Sequence, residues 1–231
     1  KMEILILGII LFILFLEPKR REYRTSGYKE TSGKKMMEVF RDKGLYGEYL
    51  TFLTLEKLDV YHRLLTNVYI PKEDGTTTEI DLIMIAETGV YVFESKNYSG
   101  WIFGNNKQKE WVQTLPGGKK SAFYNPVWQN DGHIRALERV VKMSHPKLFK
   151  SYIIFSERCE LKNVDVYKEE VEVLKRNQLK EYLEKDLKRR EEIMTTWTVD
   201  GLYYHLSQYA LQKDDVKVKH IEDLRSRKEN P

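Results

Sequence analysis

The sequence predicts an α/β domain with a central mixed β-sheet flanked by helices, preceded by an N-terminal apolar membrane helix. Three observations predict it. Two apolar runs, Glu79 to Ala86 and Val90 to Ser95, are separated only by the turn Glu87-Thr88-Gly89, which makes an antiparallel hairpin. Segments with apolar residues at helical spacing lie before and after that hairpin. An unbroken apolar run of thirteen residues, Ile4 to Leu16, opens the chain.

Taken in order, Gly44 to Leu58 is a helix, because Tyr46, Leu50 and Leu53 recur on one face with Tyr49 beside them. Tyr61 to Ile70 is β-branched and apolar enough for a strand, and Pro71 to Thr78 is a turn built on Asp74-Gly75. The hairpin follows. Trp101 to Phe103, Glu110 to Gln113 and Ser121 to Tyr124 are short strands divided by Gly, Asn and Lys. Asn125-Pro126 opens a helix that runs to about Lys142: Asn caps, Pro suits the first turn, and Ile134, Leu137 and Val141 share a face. Ser151 to Phe155 is a buried strand and Val171 to Leu174 a further one; Asn177 to Arg189 and Val199 to Leu211 are closing helices. The tail from Gln212 to Pro231 is charged and frayed. Trp101, Trp111 and Trp128 are assigned to the core. No internal repeat interrupts this order.

The Ile4–Leu16 run has no polar face, as a buried surface helix would, and no small-residue cleavage site after it, as a secretory signal would. At ~20 Å it is short for a ~30 Å bilayer core, so an anchor needs flanking residues or local thinning to span. Anchor, signal peptide and buried helix all remain readings, with the anchor favoured. Lys19, Arg20, Arg21 and Arg24 follow the run, and the positive-inside rule then gives a single-pass protein with its domain facing the cytoplasm. The chain divides into an anchor (1–21), a tether rich in Ser, Thr, Gly and charge (22–43), a core (44–160), and a C-terminal helical extension with a charged tail (161–231).

Composition narrows the function classes. The formal charge of +4 permits contact with nucleic acid or an anionic membrane and singles out neither. Aromatic and apolar content excludes disorder for the bulk of the chain. The single cysteine, Cys159, excludes an intramolecular disulfide and a cysteine zinc knuckle, and its place after an apolar run marks an inert thiol. His62, His145, His205 and His220 are scattered and suggest no zinc site.

The chemistry gathers on the hairpin. Asp81 lies between Ile80, Leu82 and Ile83, where a carboxylate is costly unless paired or bound to a cation. Glu94 and Lys96 are two apart on a strand and face the same side, to which the hairpin can bring Asp81. Two carboxylates and an ammonium around one point suit Mg²⁺ and a phosphodiester: hard oxygens hold the ion, and the ammonium offsets charge growing on phosphorus oxygens. For Glu94-x-Lys96 alone, a solvated strand end is the better reading; Asp81 in the preceding strand shifts the balance. Gln129 and His133 share a helix face. Gln129 either positions the water or phosphate or partners the Asn125 cap, while His133 reads as a surface or structural residue. Asn97 and Tyr98 are candidates for backbone contact or base stacking, Tyr98 equally for packing.

The residues Gly47-Glu48, Glu79-Ile80-Asp81, Gly89-Val90-Tyr91-Val92-Phe93-Glu94-Ser95-Lys96-Asn97-Tyr98-Ser99-Gly100, Gly104, Trp111 and Asn125-Pro126-Val127-Trp128-Gln129 resemble the nuclease-related domain family of the PD-(D/E)XK nuclease superfamily. The resemblance covers about Gly44 to Leu137. It implies a restriction-endonuclease-like fold and metal-dependent cleavage of nucleic acid, DNA by superfamily habit. It implies Asp81 and Glu94 as ligands of Mg²⁺ or Mn²⁺, Lys96 as the catalytic lysine, and Glu48 as the residue completing the acidic cluster. Ile80 stands where the superfamily has proline. Together these readings describe a membrane-tethered, divalent-metal-dependent nuclease. Two other classes remain: a nucleic-acid-binding module with a degraded site, and a membrane adaptor that binds a protein partner through the helices and tail from Glu181 to Pro231.

Overall fold

The computed structural model describes residues 17–210 together with His220 and Glu222. The expected membrane helix at Ile4–Leu16 lies outside the described residues, as does the charged tail except for those two positions. Among the described residues no helix is long and apolar enough to cross a membrane.

The elements in chain order are α1 (Tyr28–Ser32), α2 (Met36–Arg41), α3 (Lys43–Glu56), β1 (His62–Pro71), β2 (Thr77–Ala86), β3 (Gly89–Lys96), β4 (Gly100–Asn105), β5 (Glu110–Thr114), β6 (Lys120–Tyr124), α4 (Pro126–Val141), β7 (Phe149–Phe155), β8 (Cys159–Asp165), β9 (Val171–Lys175), α5 (Arg176–Arg189) and α6 (Thr196–Ser207). A five-stranded sheet has the order β1-β2-β3-β7-β9, and a four-stranded sheet the order β6-β5-β4-β8. In the larger sheet β1, β2 and β3 are antiparallel, while β7 and β9 run parallel to β3, so the sheet is mixed. The smaller sheet pairs β4 with β8 in parallel and β4, β5 and β6 antiparallel. This is the α/β architecture with mixed sheets and flanking helices that the hairpin and the helical spacings predict.

The larger sheet is buried on both faces. Leu82, Met84, Tyr91, Phe93, Tyr152 and Ile154 point to the face covered by α3 and α5, and Ile83, Ile85, Val90 and Val92 to the face covered by α4 and α6. That double burial explains why β2 and β3 read as near-continuous apolar runs instead of alternating ones. A third cluster, around Trp111 and Phe155 stacked at 6.1 Å, joins the two sheets. Gly104 is fixed by that cluster: a Cβ there would stand 2.3 Å from the Trp111 ring, so this β4 position takes no side chain. The pairing accounts for Gly104 and Trp111 occurring together in the sequence.

Several expectations are corrected. The supposed tether, 22–43, is folded: residues 17–25 are helical, α1 and α2 follow, and Tyr23, Tyr28 and Phe40 pack with Tyr49 as a cluster of tilted and edge-on rings. Its polar composition conceals aromatics spaced to meet α3, and their burial outweighs the flexibility of the intervening Ser, Thr and Gly. The expected core boundary at 160 falls inside β8, and β9 completes the larger sheet, so 161–175 belong to the core architecture. Trp101 is not a core residue; it is 49 % exposed with the Lys162 ammonium over its ring, whereas Trp111 is buried. Cys159 is buried and its thiol is pushed up to about 11 by desolvation, in keeping with an inert role.

Candidate active site

β2 and β3 place the acids. Leu82 pairs with Phe93, so Asp81 lies one step beyond the last paired residue and reaches across: the Ser95 N–H donates to Asp81 Oδ2 at 3.0 Å. On the other side of β2, Asn67 stands opposite Asp81 in register, but the pairing skips it. Asn67 is buried and held at φ 51°, a left-handed conformation that Asn tolerates better than most residues. The irregularity interrupts the ladder at the level of the carboxylate, where bulges commonly re-aim side chains.

Glu94 is 2 % exposed and uses both oxygens. Oε1 meets Lys96 Nζ at 2.6 Å and Oε2 meets His133 Nε2 at 3.1 Å. Lys96 Nζ also donates to Gln129 Oε1 at 3.0 Å, and His133 Nδ1 is held by Thr78 Oγ1 at 2.8 Å. Gln129 and His133 come from one face of α4, whose start is set by Asn125 accepting from the N–H groups of Val127 and Trp128. The Gln129 side chain thus meets Lys96, while its N–H donates to Asn125 O at 3.0 Å as an ordinary helix bond. His133, expected at the surface or in a structural role, is buried against the acid; nothing in its spacing distinguishes a ligand of Glu94 from an ordinary helix histidine. Tyr98 packs on Phe123 with ring centroids 4.6 Å apart.

Glu48 enters from α3. That helix sits close to β3 because Gly47 has no side chain: a Cβ there would stand 3.0 Å from Asn97 Cβ and 3.3 Å from Arg176 Nη2. Thr51, one turn on, meets Ser95 Oγ at 3.2 Å. Glu48 therefore faces the hairpin acids. Burial, with the charges of Glu79 and Glu94, pushes its carboxyl up to about 8. Glu79 belongs to the same group, accepting from Tyr69 OH at 2.7 Å, with His220 Nε2 4.0 Å away; the sequence reading quoted it only as part of a motif.

The electrostatics divide the acids. Burial raises Asp81 well above the usual carboxylate range, Glu94 and Glu48 add to that, and Lys96 and the Ser95 N–H oppose it. Burial also works against the Glu94 charge, but Lys96 and His133 outweigh it and hold that carboxyl below its ordinary value. Lys96 is raised, because its pairing with Glu94 outweighs its own desolvation. The site thus contains more carboxylate than its one ammonium compensates. Among the described residues no group of three or more His, Cys, Asp or Glu side chains is arranged, as they stand, to hold a metal ion, and Lys96 and His133 occupy the oxygens of Glu94. The donor chemistry suits a dication: hard oxygens whose mutual repulsion it would relieve.

Comparison with known proteins adds three findings. The family model described as nuclease-related domain matches residues 43–156. The uncharacterized protein pXO1-01 of Bacillus anthracis is 38 % identical over 186 residues, which is 80 % of this chain and 85 % of that protein. No solved structure matches the chain.

Proposed function

Because the chain belongs to the nuclease-related domain family, we propose that it is a PD-(D/E)XK-type nuclease that hydrolyses phosphodiester bonds, of DNA in the first instance, with Mg²⁺ or Mn²⁺. The observation that carries this is the convergence of Glu48, Asp81, Glu94 and Lys96 from three separate elements on one buried point. Asp81, Glu94 and Glu48 would hold the ion. When bound, it supplies Lewis-acid polarisation of the phosphate and a lowered pKa for its water. Lys96 presents its ammonium to the charge growing on the phosphoryl oxygens, and Gln129 holds Nζ in that position. His133 and Thr78 fix the Glu94 carboxylate. A module that binds nucleic acid without cutting it would have no need of this acid–acid–lysine set. Purified protein should cleave plasmid, linear or single-stranded substrates with Mg²⁺ or Mn²⁺ and stop with chelator; cleavage undiminished by chelator would refute the reading.

The acids give the site a pH signature. Burial and the neighbouring acids push the Glu48 carboxyl from its ordinary 4.5 up to about 8 in the folded protein, so between those values the folded state binds more protons than the unfolded one. Its contribution therefore makes the ion-free protein less stable as pH rises through that window. Glu48→Gln should flatten this decline by a few degrees in melting temperature, ~1 kcal/mol being worth ~2–4 °C in a domain of this size. Mg²⁺ should protect the wild type more at pH 8 than at pH 5.5, since the ion replaces the proton. Parallel melting profiles for wild type and Glu48→Gln would remove Glu48 from the cluster.

The same reading holds the enzyme at a membrane through Ile4–Leu16, with the domain on the cytoplasmic side and the C-terminal helices available to a protein partner. The unbroken apolar run and the cations after it support this. Full-length protein should sediment with membranes and a form starting at Glu22 should not, while protease added outside intact cells should spare the domain. A full-length protein recovered in the soluble fraction, or a domain digested from outside, would overturn it.

A further inference from the structure

Tyr28, the first residue of α1, is fully buried, yet its hydroxyl has no hydrogen-bond partner. Buried hydroxyls are bonded as a rule, and an unpaired one forfeits free energy that a phenylalanine would not. The contacts around it fix where that hydroxyl lies. The Gly27 N–H donates to Glu56 Oε1 at 2.6 Å, and a Cβ on Gly27 would stand 3.7 Å from Phe52 Cζ. The Tyr28 ring packs against Phe52 and Tyr49, with centroids 5.3 and 5.2 Å away, so it runs back along α3 toward the start of that helix. Glu48, Phe52 and Glu56 are four apart and form one row on α3. A tyrosine side chain spans roughly one helical turn of 5.4 Å, so a ring rooted at the level of Phe52 and Glu56 carries its oxygen toward Glu48.

The electrostatics agree. Burial raises the Tyr28 hydroxyl above its ordinary value, and the acids that add to this are Glu48 first and then Asp81. Tyr49 gives the contrast. Its hydroxyl is also buried without a partner, in the same cluster of rings, but the acids that bear on it after burial are Glu22 and Glu56, away from the site. β1, on which α1 packs, brings two further oxygens. Thr66 Oγ1 and Asn67 Oδ1 are buried and unpaired, on the residues opposite Leu82 and Asp81 in register. Tyr69, the other buried tyrosine beside these acids, is already engaged with Glu79. Tyr28 is therefore the tyrosine whose donor is left for Glu48.

We propose that Tyr28 is a positioning residue of the acidic site, whose hydroxyl is the donor that steadies the Glu48 carboxylate as an ion ligand. A carboxylate that accepts from a fixed donor gives up less freedom when it binds an ion, and such supporting partners commonly set metal affinity. The segment 22–43 thereby contributes to the site as well as to the core. The proposal rests on the reading of Glu48 as a metal ligand and is independent of hydrolysis.

The test reads ion binding without catalysis: calorimetric titration of Mn²⁺ into the full-length protein, with melting temperatures taken in the presence and absence of the ion. Tyr28→Phe keeps the ring contacts and removes only the hydroxyl. It should weaken Mn²⁺ binding about tenfold while the ion-free melting temperature holds or rises, since no bond within the protein is lost. Tyr49→Phe removes the companion hydroxyl and should keep the wild-type affinity. On a Glu48→Gln background, Tyr28→Phe should have no further effect, because the hydroxyl acts through that carboxylate. Wild-type affinity in Tyr28→Phe, an equal loss in Tyr49→Phe, or a loss that persists in full beside Glu48→Gln would each overturn the role. So would a fall in the ion-free melting temperature of Tyr28→Phe, which would make the hydroxyl a structural one. A wild type that binds no Mn²⁺ would sink the metal reading and this role with it, whereas absence of cleavage with these affinities intact would sink hydrolysis alone.

Discussion

Asp81→Ala and Glu94→Ala should each lower cleavage more than a thousandfold, equivalent to ~4 kcal/mol of transition-state stabilisation, and should weaken Mg²⁺ or Mn²⁺ binding in parallel. Asp81 is the cleaner of the two. Its recorded side-chain bond is with the Ser95 N–H, so its removal takes away a carboxylate without stranding a buried cation. Removing Glu94 leaves Lys96 and His133 facing an uncompensated site, and breaking a buried pair in this way costs ~3–5 kcal/mol of stability. Glu94→Gln is the companion variant that keeps shape and hydrogen bonding. Metal affinity by calorimetry and turnover on a linear duplex check the result together. Wild-type metal affinity in Asp81→Ala would remove that residue from the ligand set.

Lys96→Ala should behave differently. Turnover should fall about a hundredfold, ~3 kcal/mol, the usual cost of losing one donor aimed at developing charge. Metal affinity should hold or rise, because Lys96 stands on Glu94 Oε1 and competes with the ion for that oxygen. Gln129→Ala should give a smaller loss of the same kind, since Gln129 acts through Lys96. Separate measurement of metal binding and single-turnover rate distinguishes the two classes. A lysine variant that loses metal affinity as the acid variants do would show that its ammonium organises the acids and does not act in the chemical step.

These outcomes also indicate what a sequence can and cannot reveal here. Asp81, Glu94 and Lys96 were legible because a charged residue in an apolar strand is conspicuous and because hairpin pairing follows from a tight turn. The α3 and α4 helices were legible from spacing and, for α4, from the Asn-Pro start. His133 was not, since its significance lies in a contact 39 residues away with Glu94. Asn67 was hidden for a similar reason: its left-handed backbone is set by what stands across the ladder, not by its neighbours in sequence. β8, Cys159–Asp165, alternates poorly and is largely exposed, so its strand character derives from pairing with β4 and not from its own apolar content. The aromatic packing of 22–43 escaped notice because polar residues dominate its composition, while the burial of a few rings decides its structure.

The two sheets are joined in a way that bears on the rigidity of the centre. β3 and β7, parallel neighbours in the larger sheet, leave it at the same level and become β4 and β8, parallel neighbours in the smaller one. The crossing is itself stitched, Ser156 N to Lys96 O at 3.0 Å and Gly100 N to Arg158 O at 3.3 Å. A single connecting strand would act as a swivel; a pair bonded along its length resists torsion as a ribbon resists twisting. Lys96 and Asn97 sit at the entry to that ribbon, so a load applied to the smaller sheet is transmitted into the larger sheet as a whole and not absorbed by local rotation at the lysine.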